Sequence, residues 1–466
     1  MLAAMLTGPV TGGAHGWPFS AATFDLDAAG YTEQEWFLDG EATRYRHAPG
    51  TDRSWDGRWV AEPDDALPFR TRLLVRRPVD PAMFNGTVVL MWNNVSLGFD
   101  LFAGESPELY DGGFAFVGVS VQRKGVHGYE GGASPGLTRW DPERYGTLSL
   151  PTDDVSYDVY TQTAEAIGPD RELGASDPLG GLAVRRVLGL GASQSAVWLA
   201  TYLNAVQPLT GALDGLILDI YFGNGTALRS DPAATDLARP QDIAAAVLRM
   251  QPGSHLLRDD TGIPVFVVNS ETEATAYHPV RQPDTDTFRY WEVAGVAHSS
   301  RTRGSARLPS NWPRDLGTDD SPMGTPSDAN VLQLEPVRSS VLRHVQRWLV
   351  DGVPPPVQPR IEFDVVDGEP VIRRDELGLA IGGVRLPDVA VPTARHSGLA
   401  ADGSLSLPGS TIPFDDATIR RLYPDDGAYA RRREAAVAAA VDAGVLRPED
   451  AAIAGPVTSS LASGRA

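Results

Sequence analysis

No cysteine occurs among the 466 residues of this chain. That single absence removes disulfides, thiolate metal sites and cysteine nucleophiles together. Positive charge is also short: 40 Lys and Arg stand against 60 Asp and Glu, a formal net charge of −20. The acidic residues are spread along the chain, which reads as solubility. The balance argues against nucleic acid as a partner and against an anionic membrane surface. No apolar run reaches about 18 residues, so no membrane span is expected. The first basic residue is Arg44, so the N-terminal stretch lacks the basic region of a secretory signal, and a cytoplasmic location is expected. No H-E-x-x-H pattern is present, and neither a metal nor any other cofactor is expected.

What is present is concentrated in residues 186–206, RVLGLGASQSAVWLATYLNAV. A short apolar run, 187–190, is followed by Gly191-Ala192-Ser193-Gln194-Ser195. Then Val197, Leu199, Ala200, Tyr202, Leu203 and Val206 recur at helical spacing. Strand, sharp turn with a central serine, helix: this is the layout of a nucleophile elbow. The turn strains the serine backbone, so the residues two positions away must be small. Around Ser193 they are Gly191 and Ser195; around Ser195 they would be Ser193 and the β-branched Val197. Ser193 is therefore the expected nucleophile. The helix that follows aims backbone N–H groups at the turn, with Gln194 as the first oxyanion donor. A dinucleotide loop is the competing reading of Gly189-Leu190-Gly191. It lacks its third glycine, which is Gln194, and an acidic residue about 20 positions on.

Short apolar runs alternate with helical patterns elsewhere. Strands are expected over 71–75, 87–92, 114–121, 187–190, 215–218, 264–268 and 288–293, with the first pairing antiparallel to the second. Helices are expected over 99–110, 154–167, 196–206, 240–250, 337–350 and 427–443. Continuous Val/Leu/Phe runs suit strands buried on both faces. The pattern predicts a mostly parallel sheet covered by helices on both faces. A small helical cap is expected within 222–262 and an insert over 299–336. A catalytic core spans 60–352, an N-terminal arm packing on it spans 1–59, and a C-terminal extension spans 353–466.

A serine is inert without a base. In a chain with this elbow the acid and then the histidine follow it, at the ends of later strands. His298 lies on a small-residue loop just past 288–293; its rival, His278, lies before that strand. The acid should follow 264–268, where Glu271 and Glu273 compete. Spacing from the strand end favours Glu273, with Glu271 as the alternative and Asp219 as a third option. The second oxyanion donor should come from the loop after 87–92, with Asn94 and Val95 as candidates within 94–96. Trp36, Trp92, Trp198 and Phe222 are candidates for an apolar acyl site.

These blocks together resemble the α/β-hydrolase superfamily, and within it the "alpha/beta hydrolase domain" proteins of actinobacteria and proteobacteria. GYTEQEWFLDGEATRY (30–45), PFRTRLLVRRPVDPAMFNGTVVLMWNNVS (68–96), DPERYGTLSLPTDDVSYDVY (141–160), GASQSA, GGVRLPDVAVPTA (382–394) and GSTIPFD (409–415) are similar to that group's motifs. The resemblance implies an α/β-hydrolase fold, with Ser193 and His298 on the matching positions and the tail packed onto the core. Ser195 stands where the superfamily elbow has a third glycine, and Met91 and Asn93 depart from the usual residues near the oxyanion loop. The expected activity is hydrolysis of a carboxylic ester or lactone, with a small-molecule ester as partner. An acyltransferase with the same triad and a catalytically silent binding protein are the alternatives.

Overall fold

The structure is a computed structural model that describes residues 4–129, 134–229, 254–302, 304–321, 324–425 and 427–451. Its central strand, Thr87–Trp92, shows why the sheet is covered on both sides. Val88, Leu90 and Trp92 join one buried apolar cluster, while Val89 and Met91 join another. Side chains alternate across a strand, so an unbroken apolar run needs a core on each face. The first cluster is closed by helix α1 (Ser156–Ile167) and helix α2 (Gln194–Thr201). The second is closed by helix α4 (Glu335–Asp351), which contributes Val337, Val341 and Val345. Between them in the chain comes helix α3 (Glu271–Tyr277), and helix α5 (Ala428–Asp442) follows near the end.

Among the described residues the sheet has nine strands. They are β1 (Met5–Thr7), β2 (Tyr31–His47), β3 (Ala61–Pro78), β4 (Thr87–Trp92), β5 (Ala115–Val119), β6 (Arg186–Ala192), β7 (Gly215–Asp219), β8 (Val265–Ser270) and β9 (Phe288–Val293). Their spatial order is β1-β2-β3-β5-β4-β6-β7-β8-β9. From β5 to β9 every neighbour pair is parallel; β1, β2 and β3 add an antiparallel edge. The alternating strand–helix pattern thus becomes a mostly parallel sheet, with β6, β7, β8 and β9 side by side and their C-terminal ends on one rim. Ligand sites of parallel sheets form at such a rim.

Several expectations change here. The run 71–75 belongs to β3 and pairs with β2 and β5, not with 87–92. A strand that follows β3 in sequence sits one position further away, because β5 is inserted between them. Residues 1–59 do more than lie on the core: Tyr31–His47 forms a sheet strand along the whole of β3. The helix expected over 99–110 shrinks to Glu108–Asp111. Gly98 and Gly104 adopt positive φ of 79° and 97°, and Asn94 and Leu101 pair as a short bridge, so 94–104 is a shaped loop. Helix α2 starts two residues earlier than expected and passes into a π-turn at Tyr202–Val206. The helix expected over 240–250, and most of the cap, lie outside the described residues.

Past β9, two small hairpins, β10 (Phe363–Val366) with β11 (Glu369–Ile372) and β12 (Ala394–Leu399) with β13 (Leu405–Pro413), pack beside α3. A further bridge joins Val384 to Val293 at the end of β9. Among the described residues no helix is long and apolar enough to cross a membrane.

Candidate active site

Ser193 sits between β6 and α2 with φ 57° and ψ −118°. An L-residue held there stores about 1–3 kcal/mol of strain, and the neighbours show how it is held. Gly191 has no room for a side chain: an added Cβ would lie 2.9 Å from the Ser195 carbonyl carbon and oxygen and 2.8 Å from Leu199 Cδ1. Ser195 is fully buried. Its hydroxyl accepts the Ala192 N–H at 2.9 Å and donates to the Ala192 carbonyl at 2.8 Å. The Ser193 N–H donates to the Asp219 carbonyl at 2.9 Å, which ties the turn to β7. Of the two elbow serines, Ser195 is committed to the turn and Ser193 opens into a cavity of about 380 Å³.

His298 lines the same cavity. Its Nδ1 lies 2.7 Å from Glu273 Oε1. Its backbone N–H donates to Thr272 Oγ1 at 3.0 Å, and that hydroxyl donates to the Gly398 carbonyl at 2.6 Å. The ring stands 5.4 Å from the Phe222 ring at 33°. Its Nε2 makes no hydrogen bond among the described residues, so the edge left for Ser193 or a substrate is the one a general base uses.

Glu273 is fully buried and is fixed on both oxygens. Ser270 caps α3, and Glu273 Oε2 accepts the Ser270 N–H at 2.8 Å and its hydroxyl at 2.6 Å, a capping box. Helix capping, normally a stability device, here leaves Oε1 free for the imidazole. Glu271, the first helical residue, between Ser270 and Glu273, faces the other way. It accepts the Gly295 N–H at 2.7 Å, Arg374 at 2.7 Å and the Ser397 hydroxyl at 2.9 Å. Asp219 pairs through Oδ2 with Arg338 Nε at 2.7 Å; burial pushes its carboxyl up. Of the three acids, only Glu273 meets the imidazole. His278 packs on Phe363 with ring centroids 4.5 Å apart, and it does not line the cavity.

The oxyanion candidates separate. Gln194 is the first helical residue of α2, so its N–H has no carbonyl one turn earlier. Its side chain is drawn aside, donating to Gln122 Oε1 at 3.0 Å; Trp92 Nε1 shares that acceptor. The Asn94 N–H donates to the Leu101 carbonyl at 3.1 Å. It is therefore spent, which corrects its assignment as a donor. The Ser96 N–H is spent on Asn94 Oδ1 at 2.8 Å. The Val95 N–H has no partner among the described residues. Asn94 acts differently: its side-chain Nδ2 donates to the Ala192 carbonyl at 2.9 Å and ties this loop to the elbow.

The aromatic expectation for the acyl site is also corrected. Trp36, Trp92 and Trp198 are core residues, with Trp92 and Trp198 stacked 5.7 Å apart beneath the elbow. Phe222 touches His298 but is not a cavity wall. The walls come instead from residues 20–24 of the N-terminal segment, from Leu97 and residues 101–105, from the insert residues Ser299, Leu308 and Trp312, from α4 and from Leu407. Sequence reasoning missed Ser270 and Thr272, although Ser270 three residues before Glu273 is a capping-box spacing. Among the described residues no group of three or more His, Asp or Glu is placed to hold a metal ion.

Solved structures similar to this chain include esterase Est22 with p-nitrophenol, at 14% identity and a TM-score of 0.27 over 52% of this chain and 65% of that one. A bacterial brefeldin A esterase matches at 15% identity, TM-score 0.24, over 56% and 73% of the two chains. Oligopeptidase B from Leishmania major matches at 11%, TM-score 0.28, over 57% and 33%. The chain thus spans just under two thirds of the Est22 chain. No curated protein matches it. The family described as "Alpha/beta hydrolase domain" matches residues 6–454, nearly the whole chain including the C-terminal extension. The sheet order and this match lead to one conclusion: the chain belongs to the alpha/beta hydrolase domain family.

Proposed function

We propose that this protein is a serine hydrolase that cleaves a carboxylic ester or lactone through an acyl-enzyme. One observation carries the reading: a strained Ser193 and the free edge of His298 open into one cavity, while Glu273 holds the opposite edge of the imidazole at 2.7 Å. Ser193 Oγ attacks the carbonyl carbon as His298 takes its proton. The N–H groups of Gln194 and Val95 hold the oxyanion, each such donor contributing about 100- to 1000-fold in kcat. The C–O bond to the leaving group breaks and His298 returns the proton to the alkoxide. Water then attacks the acyl-enzyme by the same steps in reverse order. Glu273 keeps the imidazole in the tautomer that accepts at Nε2 and stabilises the imidazolium.

The test is Ser193→Ala beside wild type. Hydrolysis of p-nitrophenyl butyrate should fall by about a million-fold, and labelling by a fluorophosphonate should disappear. Turnover retained in that variant refutes the mechanism. Transfer of the butyryl group to an added alcohol in preference to water would reassign the enzyme as an acyltransferase with the same triad.

A further inference from the structure

Two arginines line the cavity that holds Ser193, and they differ in one respect. Arg76 is spent: Nε donates to Glu33, Nη1 to Glu105 and the Tyr110 hydroxyl, and Nη2 to the Ser20 carbonyl. Arg338, on α4, uses only Nε, which donates to Asp219 Oδ2 at 2.7 Å. Neither terminal nitrogen has a protein partner among the described residues, although the side chain is only 20% exposed. A guanidinium mostly covered by protein, with both terminal nitrogens open to the cavity and without a protein acceptor, can offer its two-pronged fork to a ligand.

Its position is tied to the chemistry. The carbonyl of Asp219 accepts the Ser193 N–H and its carboxylate holds Arg338. One aspartate and two hydrogen bonds therefore separate the guanidinium from the nucleophile. Gly104, at positive φ, brings the cavity loop past this pair; a Cβ there would lie 3.4 Å from Asp219 Oδ2. The other charged group on this wall is Glu335, one turn earlier on α4. It forms no ion pair with Arg338, burial pushes its carboxyl up, and the Ser305 hydroxyl and Arg338 oppose that push. The two acids beside this guanidinium weaken its hold on any anion, and they penalise a dianion such as a phosphate monoester more than a monoanionic carboxylate.

We propose that Arg338 binds a free carboxylate on the substrate, so that the preferred substrates are half-esters of short dicarboxylic acids. This rests on the serine-hydrolase reading and names the substrate class for that site. The ester carbonyl sits at Ser193, and the far carboxylate takes two parallel hydrogen bonds from Nη1 and Nη2. Arg338 acts as a specificity residue, through binding rather than through the reacting atoms.

The experiment compares monomethyl glutarate with neutral methyl valerate by pH-stat, in wild type, Arg338→Lys and Glu335→Gln. Lysine keeps a cation against Asp219 but loses the fork. In wild type kcat/KM should favour the half-ester. The ratio of the two kcat/KM values should fall about 10- to 100-fold in Arg338→Lys, mainly through KM. It should rise in Glu335→Gln, which removes a like charge. Glutarate should inhibit valerate hydrolysis competitively in wild type and much less in Arg338→Lys. Equal handling of the two esters by wild type, or an unchanged ratio in Arg338→Lys, overturns the proposal. If wild type hydrolyses the valerate and is labelled by a fluorophosphonate at Ser193 but shows no preference, this inference alone falls. If it does neither, the hydrolase reading falls and takes this one with it.

Discussion

Glu273→Gln is the sharpest perturbation, because the capping box dictates which way the new amide points. Glu273 Oε2 accepts both the N–H and the hydroxyl of Ser270. The backbone N–H is a fixed donor, so the glutamine must turn its carbonyl oxygen to Ser270. Its NH2 then faces His298 Nδ1, 2.7 Å away. An imidazole that receives a hydrogen bond at Nδ1 carries its proton on Nε2, the wrong edge for taking the Ser193 proton. The variant keeps the helix cap and every contact by shape, yet locks the base in the inactive tautomer. The expected loss is about 10,000-fold in kcat, or about 5 kcal/mol of barrier, with little change in Tm. Glu271→Gln is the matched control. That carboxylate serves Gly295, Arg374 and Ser397, so the substitution leaves Arg374 without its anion and costs about 3 kcal/mol of stability. Turnover per folded molecule should stay near wild type. Release of p-nitrophenolate from the butyrate ester, read beside thermal melts, separates the two. Glu273→Gln retaining more than about a tenth of wild-type kcat refutes the reasoning, as does a catalytic collapse in Glu271→Gln at unchanged Tm.

Two further outcomes follow from the elbow and from a buried histidine. Ser193→Gly removes the nucleophile and relieves the positive-φ strain, so it should be inactive and more stable than wild type by about 1 kcal/mol; a lower Tm than Ser193→Ala would contradict the strain. Burial holds the His255 pKa down at about 4, against 6.5 when exposed, so the folded protein keeps this ring neutral where the unfolded chain would protonate it. Stability should be full above pH 6.5 and fall by about 3 kcal/mol as pH drops toward 4. Denaturant melts across that window should show the slope in wild type and lose most of it in His255→Leu.

What was legible in the sequence, and what was not, divides along the range of the interactions. The elbow is local: Val187–Leu190, the small Gly191 and the helical spacing after Ser195 lie within one stretch of chain, and strand, turn and helix follow from it. The order of Glu273 and His298 after it depends only on which strand each one ends. Spacing from the strand end favours Glu273, but both carboxylates stand just past β8; what turns Glu273 toward His298 is Ser270, whose capping of α3 selects the third helical residue. Strand neighbours are not local. Placing β5 between β3 and β4 depends on contacts across the sheet, and a run of apolar residues pairs equally well with either. The loop 94–104 misleads for a related reason. Its apolar residues have helical spacing, but Gly98 and Gly104 need positive φ, and Asn94 spends its N–H on Leu101.

The C-terminal extension gave little signal by periodicity, yet it stands directly behind Glu273. Glu271 and Thr272, flanking Glu273 on its N-terminal side, are both held from there: Arg374 and Ser397 grip Glu271, and the Gly398 carbonyl takes the Thr272 hydroxyl. Gly398 has no alternative at this contact, since a Cβ would lie 2.4 Å from the Thr272 nitrogen. The same Thr272 hydroxyl accepts the His298 N–H. A single threonine therefore links the tail hairpin, the first turn of α3 and the backbone of His298. An elbow and a sheet rim bring Ser193 and His298 to one cavity, but the 2.7 Å spacing of His298 and Glu273 depends on a loop and a helix end, which are mobile elements unless clamped. The tail reaches that spacing through the Gly398–Thr272 contact, and with Leu407 it also supplies part of the cavity wall.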